Sequence, residues 1–242
     1  MHRFEMPAEY VARVAARQGR AHTFETFDGA KTALVVVDMQ HYFMSPPYPS
    51  ACPVAREIVP NVNRLAAAVR SAGGLVVWIQ NHTPWQSLES WRTHQERSLE
   101  PRRLGRMEAM QKGHHGFQLW PGLDVRPEDA RVIKRRFSAF IQGSSDVELV
   151  LRDNGIRNLV VTGVATNVCC ESTARDAMTL NYRTLMVADG CAAATDAEHA
   201  ATLASFYLYF GDVQTTDEVI ARLAASTRRN TQSAAETKTT NQ

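Results

Sequence analysis

The sequence predicts an α/β fold of three layers, with a doubly wound, mainly parallel sheet of about six strands between two sets of helices. Three observations carry that prediction. Short runs such as Ala33-Leu-Val-Val-Val37 and Leu75-Val-Val-Trp-Ile79 are apolar on both faces, as parallel strands covered from both sides must be. Segments of helical periodicity alternate with such runs from about Thr32 onward. Glutamate follows a hydroxyl residue by three positions at Ser145/Glu148, Thr195/Glu198 and Thr215/Glu218, the spacing of a capping box at a helix start.

Residues 1–30 read as an amino-terminal extension with a helix over Ala8–Arg17, and residues 31–225 as the main domain. The first strand ends at Asp38. Arg56 to Ser71 carries apolar residues at helical spacing (Ile58, Val59, Val62, Leu65, Ala66, Val69) and stops at Gly73-Gly74. The second strand is followed by Gln80-Asn81. The stretch 81–130, with Trp85, Trp91, His94, His114, His115, Phe117 and Trp120, is too long for an ordinary connection. Inserts of that length usually act as lids or binding loops. Arg131-Val-Ile133 is a short strand ending at Lys134, and Leu159-Val-Val161 and Thr184-Leu-Met-Val187 supply two more. The run Phe206-Tyr-Leu-Tyr-Phe210 fits an interface or core. Residues 226–242 have almost no apolar content and are expected to be disordered.

Composition narrows the function. With 242 residues, 44% apolar and 21% charged, the chain builds one sizeable core. The formal charge of +2 comes without a basic stripe interleaved with aromatics, so no nucleic-acid partner is expected. Arg102-Arg103-Leu104-Gly105-Arg106 is the densest basic patch and reads as a solvated face, with contact to a substrate carboxylate as the alternative. No run approaches the ~18 apolar residues of a membrane span, and the amino end lacks a signal-peptide pattern. Cys52, Cys169, Cys170 and Cys191 form no disulfide framework, which points to a reducing cytoplasm.

The chemistry concentrates in Gly163-Val-Ala-Thr-Asn-Val-Cys-Cys-Glu-Ser-Thr-Ala-Arg-Asp-Ala177. It follows a strand-like run and leads into a helical one, which places Cys169 at a sharp strand-to-helix turn. Unpaired N–H groups and the helix dipole favour an anion there, whether a thiolate or the oxyanion formed by its attack on a carbonyl. In open α/β sheets ligands bind outside the carboxyl ends of the strands. Asp38, Lys134 and Cys169 all stand at such ends, so a carboxylate, a cation and a thiol share one crevice. Cys170 is rotated by ~100° along the helix and reads as packing, as do Cys52 and Cys191.

Val37-Asp-Met-Gln40, Lys134 with Phe137-Ser-Ala-Phe140, and Thr162-Gly-Val-Ala-Thr-Asn-Val-Cys169 resemble the three signature blocks of the isochorismatase-like cysteine hydrolases. The likeness covers roughly Lys31 to Leu223. It implies a doubly wound fold and a catalytic triad of Asp38, Lys134 and Cys169. It also implies a cis peptide between Val164 and Ala165, with the N–H groups of Ala165 and Cys169 forming an oxyanion hole. Asp38 would then shuttle a proton, Lys134 would lower the thiol pKa, and Cys169 would attack an amide or ureido carbonyl to form a thioester.

The resemblance is nearest in character to the ureidoacrylate and N-carbamoyl amidohydrolases. Gln40, Asn81, Phe137 and Trp85 are the expected substrate contacts, and Trp85, Trp91 and Trp120 offer either an aromatic wall or packing under the insert; Phe137 stands where a tyrosine is usual and His41 where an asparagine is. No cofactor and no metal are expected. The segment after the first strand has one histidine, His41, and no carboxylate, and His94, His114 and His115 lack partners at ligand spacing. The expected partner is a small amide or ureido molecule, and the family implies a homo-oligomer, dimer or tetramer. Two other readings stay open: a thiol-independent vinyl-ether hydrolase of the isochorismatase type, and a non-catalytic binding member of the fold.

Overall fold

A computed structural model describes residues 1–46, 48–226 and 228. The chain opens with helix α1 (Ala8–Gln18) and continues through β1 (Thr32–Val37), the short α2 (His41–Met44), α3 (Val59–Ser71) and β2 (Leu75–Asn81). The insert contains α4 (Ser87–Ser90), α5 (Arg92–Gln95) and α6 (Glu100–Ala109). Then come β3 (Ala130–Lys134), α7 (Val147–Asp153), β4 (Asn158–Val164), α8 (Glu171–Thr179), β5 (Arg183–Ala192), α9 (Asp196–Tyr209) and β6 (Asp212–Gln214). A last helix, α10, covers 216–226.

The strands form one 6-stranded sheet in the order β3-β2-β1-β4-β5-β6, every pair parallel. Strand order reverses between β1 and β4, so the crevice of the sheet opens above their carboxyl ends. Successive side chains of β1 feed opposite cores. Ala33, Val35 and Val37 pack with α1, α7, α8 and α9, while Leu34 and Val36 pack with α3 and α10. This two-sided burial explains the unbroken apolar runs.

Several expectations change in detail. Gln80 and Asn81 lie inside β2 and not after it. The helix expected from Arg56 begins at Val59, with Pro60 in its first turn, where a missing N–H costs little; Pro53–Arg56 is a separate 3₁₀ turn. Thr195 and Thr215 each accept the N–H of their glutamate partner. Ser145/Glu148 forms no such box. Asp146 holds the N-cap position of α7, and the Ser145 hydroxyl donates to Ala139 O at 2.7 Å. The run from Phe206 is core, with Tyr209 alone exposed among its first four residues. Residues 1–30 pack on the domain: Val14 is buried beside α9 residues, and Arg17 donates to Leu208 O at 2.6 Å. Of the tail, Ser226 is helical and buried; the remainder, Arg228 aside, lies outside the described residues. Among the described residues no helix is long and apolar enough to cross a membrane.

Candidate active site

Three strand ends bring the site together. Asp38 directly follows β1, and its N–H donates to Ile79 O of β2 at 3.0 Å. Its backbone is left-handed, φ 54°, a conformation short polar residues tolerate and bulky ones avoid. Lys134 closes β3 in register with Asn81 of β2. β4 ends at Val164, and a π-helical turn over Thr166–Cys170 carries Cys169 into α8. Gly163 lets β4 lie against β1. It has φ 114°, and a Cβ there would sit 2.1 Å from Val37 O. Only glycine allows that approach.

The Lys134 ammonium joins the other two groups. Its Nζ is 2.7 Å from Asp38 Oδ2, donates to Cys169 Sγ at 3.3 Å, and donates to Arg136 O at 2.9 Å. Asp38 and Lys134 are fully buried, and Cys169 is 7% exposed, so the sulfur is the member that meets an incoming molecule.

Burial pushes the Asp38 carboxyl above its ordinary pKa, against the pull of Lys134 and of a hydrogen bond with Cys169. Burial also works against the Lys134 charge, but the Asp38 carboxylate and the Cys169 sulfur together raise its pKa. Of the two, the ammonium is therefore the firmer charge. Cys169 departs from expectation. Burial and the Asp38 charge outweigh Lys134, and the thiol is pushed up to about 12 rather than lowered. In the resting site the sulfur keeps its proton, and Asp38 is the adjacent base.

The Val164–Ala165 peptide is cis. Ala165 O accepts the N–H groups of both Val168 and Cys170 at 3.1 Å, which tightens the turn, whereas the Ala165 N–H has no protein acceptor among the described residues. Thr166 Oγ1 is 2.9 Å from Nδ1 of the buried His199 on α9. This contact ties the turn that carries Cys169 to the helix behind it, and nothing local in the sequence marks it. Cys170 points away from Asp38 and Lys134 into the core, its Sγ 3.7 Å from Thr162 O.

The expected substrate contacts fare unevenly. Gln40 is fully buried and its amide is engaged. Oε1 accepts the Asn81 N–H at 2.7 Å, and Nε2 donates to Asn81 O and Phe117 O. It clamps the end of β2 to the insert, and both amide hydrogens are spent within the protein. Asn81 Oδ1 accepts from Thr83, and its side-chain nitrogen makes no hydrogen bond among the described residues. Phe137 packs edge-on against Trp91 at 4.9 Å and His94 at 5.2 Å. Trp85 is absent from that group and 48% exposed, and Trp91 is the tryptophan that packs on Phe137. Arg106 of α6, read from sequence as part of a solvated face, lies close enough for its charge to act on Asp38. Among the described residues no group of three or more metal-ligating side chains exists.

Residues 32–218 match the family model described as the isochorismatase domain. Among solved structures, a cysteine hydrolase from Pseudomonas syringae pv. phaseolicola 1448A is 26% identical, with a TM-score of 0.71 over 83% of this chain and 95% of that one. An isochorismatase-like hydrolase from Alkaliphilus metalliredigens is 31% identical, covering 79% of this chain and 98% of its own, with a TM-score of 0.67. An N-carbamoylsarcosine amidase from Thermoplasma acidophilum is 27% identical over 77% of this chain and 97% of that one, with a TM-score of 0.60.

Proposed function

The chain belongs to the isochorismatase family, and on that premise we propose that it is a cysteine amidohydrolase acting on a small amide or ureido substrate through a thioester. The observation that carries the reading is the buried Lys134 ammonium, 2.7 Å from Asp38 and 3.3 Å from the Cys169 sulfur at the mouth of the crevice. The likeness to an N-carbamoylsarcosine amidase supports the ureido side of the proposal.

The reaction follows from the charge states. As Cys169 Sγ bonds to the carbonyl carbon, its proton passes to Asp38, whose raised pKa makes it a stronger base than an exposed carboxylate. The carbonyl electrons move to oxygen, and the N–H groups of Ala165 and Cys169 serve as the oxyanion hole. When the C–N bond breaks, Asp38 returns the proton to the departing nitrogen. Water then attacks the thioester, giving one proton to Asp38, which hands it to the leaving sulfur. Amide and water become acid and amine, and the enzyme is restored. Lys134 keeps Asp38 ionised and offsets negative charge on the sulfur as it forms.

A screen of primary amides and carbamoylated amines, scored by ammonia release and paired with Cys169→Ala, tests this. Hydrolysis that disappears in the variant is expected. Turnover of a vinyl ether that persists in the variant favours thiol-independent chemistry, and no turnover of any amide removes the proposal.

A further inference from the structure

Thr166 opens the turn that carries Cys169 and directly follows the cis peptide and Ala165. It is fully buried, and its hydroxyl lies 2.9 Å from Nδ1 of His199, itself fully buried on α9. We propose that His199, backed by His2, is a positioning residue for the oxyanion hole: through Thr166 it fixes the N–H groups of Ala165 and Cys169. The inference deepens the amidohydrolase reading and rests on it, because that reading gives the two N–H groups their task.

The backbone of the turn needs such a tie. Its hydrogen bonds close on Ala165 O, which accepts from Val168 and Cys170, and among the described residues none from 166–170 reaches another element. Side chains do reach out. Lys134 holds the Cys169 sulfur, and His199 holds Thr166 three residues earlier. Burial, with the His2 charge, drives the His199 pKa down to about 4, so the ring is uncharged at neutral pH and the bond joins two neutral groups. A buried imidazole gives up hydration that a phenyl ring never had, and the Thr166 contact is what it makes in return.

The ring is itself held. His2 stacks on it with centroids 4.5 Å apart and planes inclined by 24°, and Phe4 meets it edge-on at 5.8 Å. His2 is fixed in turn: Nδ1 lies 2.6 Å from Asp196 Oδ1, and Nε2 accepts the Ala193 N–H at 2.9 Å. Asp196 begins α9 and Ala193 shortly precedes it, so the cluster sets the His199 ring against its own helix. Neither histidine hydrogen-bonds Asp38, Lys134 or Cys169 among the described residues, so their effect passes through the backbone of the turn.

Thr166→Val removes the hydroxyl and keeps the shape, and His199→Phe removes the ring nitrogens and keeps a ring. On any amide the enzyme cleaves, each should lower kcat by about 10- to 100-fold, the scale of a misplaced oxyanion donor, with KM within about threefold. Thr166→Ser and His199→Asn restore a polar atom near the same place and should recover most of that rate. His2→Ala should cost about three- to tenfold, the scale of one lost ring contact. Melting temperatures separate lost positioning from lost folding. Propanal gives a readout without turnover: the Cys169 sulfur adds to its carbonyl carbon, and the carbonyl oxygen takes the thiol proton while lying in the oxyanion hole. The dissociation constant of this hemithioacetal should rise in Thr166→Val by about the factor that kcat falls. An unchanged kcat in Thr166→Val and His199→Phe overturns the proposal, as does a raised KM at constant kcat or an equal loss in the Ser and Asn variants. If the wild type cleaves no amide, the amidohydrolase reading falls by itself; weaker propanal binding in Thr166→Val then upholds the positioning role, and equal binding overturns it. A wild type that binds no propanal overturns both.

Discussion

Replacing Gly163 by alanine perturbs a close approach of β4 to β1 beside the crevice. The new Cβ would lie 2.1 Å from Val37 O and 2.7 Å from Val37 N, and both are backbone atoms that no side-chain rotation moves. Contacts under 3.0 Å essentially never occur, so the strands must separate by about 1 Å. The φ of 114° adds strain for any residue with a Cβ. Val37 immediately precedes Asp38, so the displacement reaches the carboxylate 2.7 Å from Lys134. A misplacement of ~1 Å commonly costs about 100-fold in rate. Lost pairing and strain are expected to remove about 3 kcal/mol or more of stability. Gly143→Ala is the control: its φ is also positive, at 75°, but nothing lies within 4 Å. It should lose only ~1–2 kcal/mol. Urea unfolding and amide hydrolysis on both variants decide the matter. If Gly163→Ala matches Gly143→Ala in both assays, the steric reasoning fails.

Cys170→Ala should keep amide hydrolysis within a few-fold of wild type and lose about 1–2 kcal/mol in urea melts, because its thiol only packs the core. Parity with Cys169→Ala would contradict that assignment. Lys134→Met leaves Asp38 buried without its cation, so Asp38 stays protonated further up the pH scale and activity should fall by about 10³-fold or more. A carboxyl with a raised folded pKa adds stability below its unfolded value and loses it as pH rises. The variant should therefore be less impaired, relative to wild type, at pH ~4 than at pH ~8. Equal impairment at both would count against the buried pair. His199 offers a second pH test. Burial, with the His2 charge, depresses its pKa from 6.5 to about 4, so it stabilises the fold above pH 6.5 and loses that contribution as pH falls toward 4. The full loss is on the order of 3 kcal/mol, and His199→Gln should flatten the urea midpoint across that window. An unchanged slope would argue against it.

Most of the sheet was legible because β1, β2, β4 and β5 are apolar on both faces. β6 was not: it is an edge strand of three residues, two of them polar, Asp212 and Gln214, and its place follows only from pairing with β5. Asp38, Lys134 and Cys169 stood out because strand ends and motif blocks mark them. The role of Gln40 was hidden because its amide imitates a backbone pair with Asn81, a relation between distant segments. The same holds for the contact of Arg106 with His94, which exists only once α5 and α6 fold together. Local spacing showed a charged patch, with contact to a substrate carboxylate only as the alternative to a solvated face.

The covalent state of the nucleophile during turnover tests the central claim most directly. Acid quenching in the first turnovers with a cleaved amide, followed by intact-mass and peptide analysis, should find the acyl group on Cys169 and none in Cys169→Ala. Hydrolysis at full rate with no adduct, or with the group on Cys170, would contradict the account.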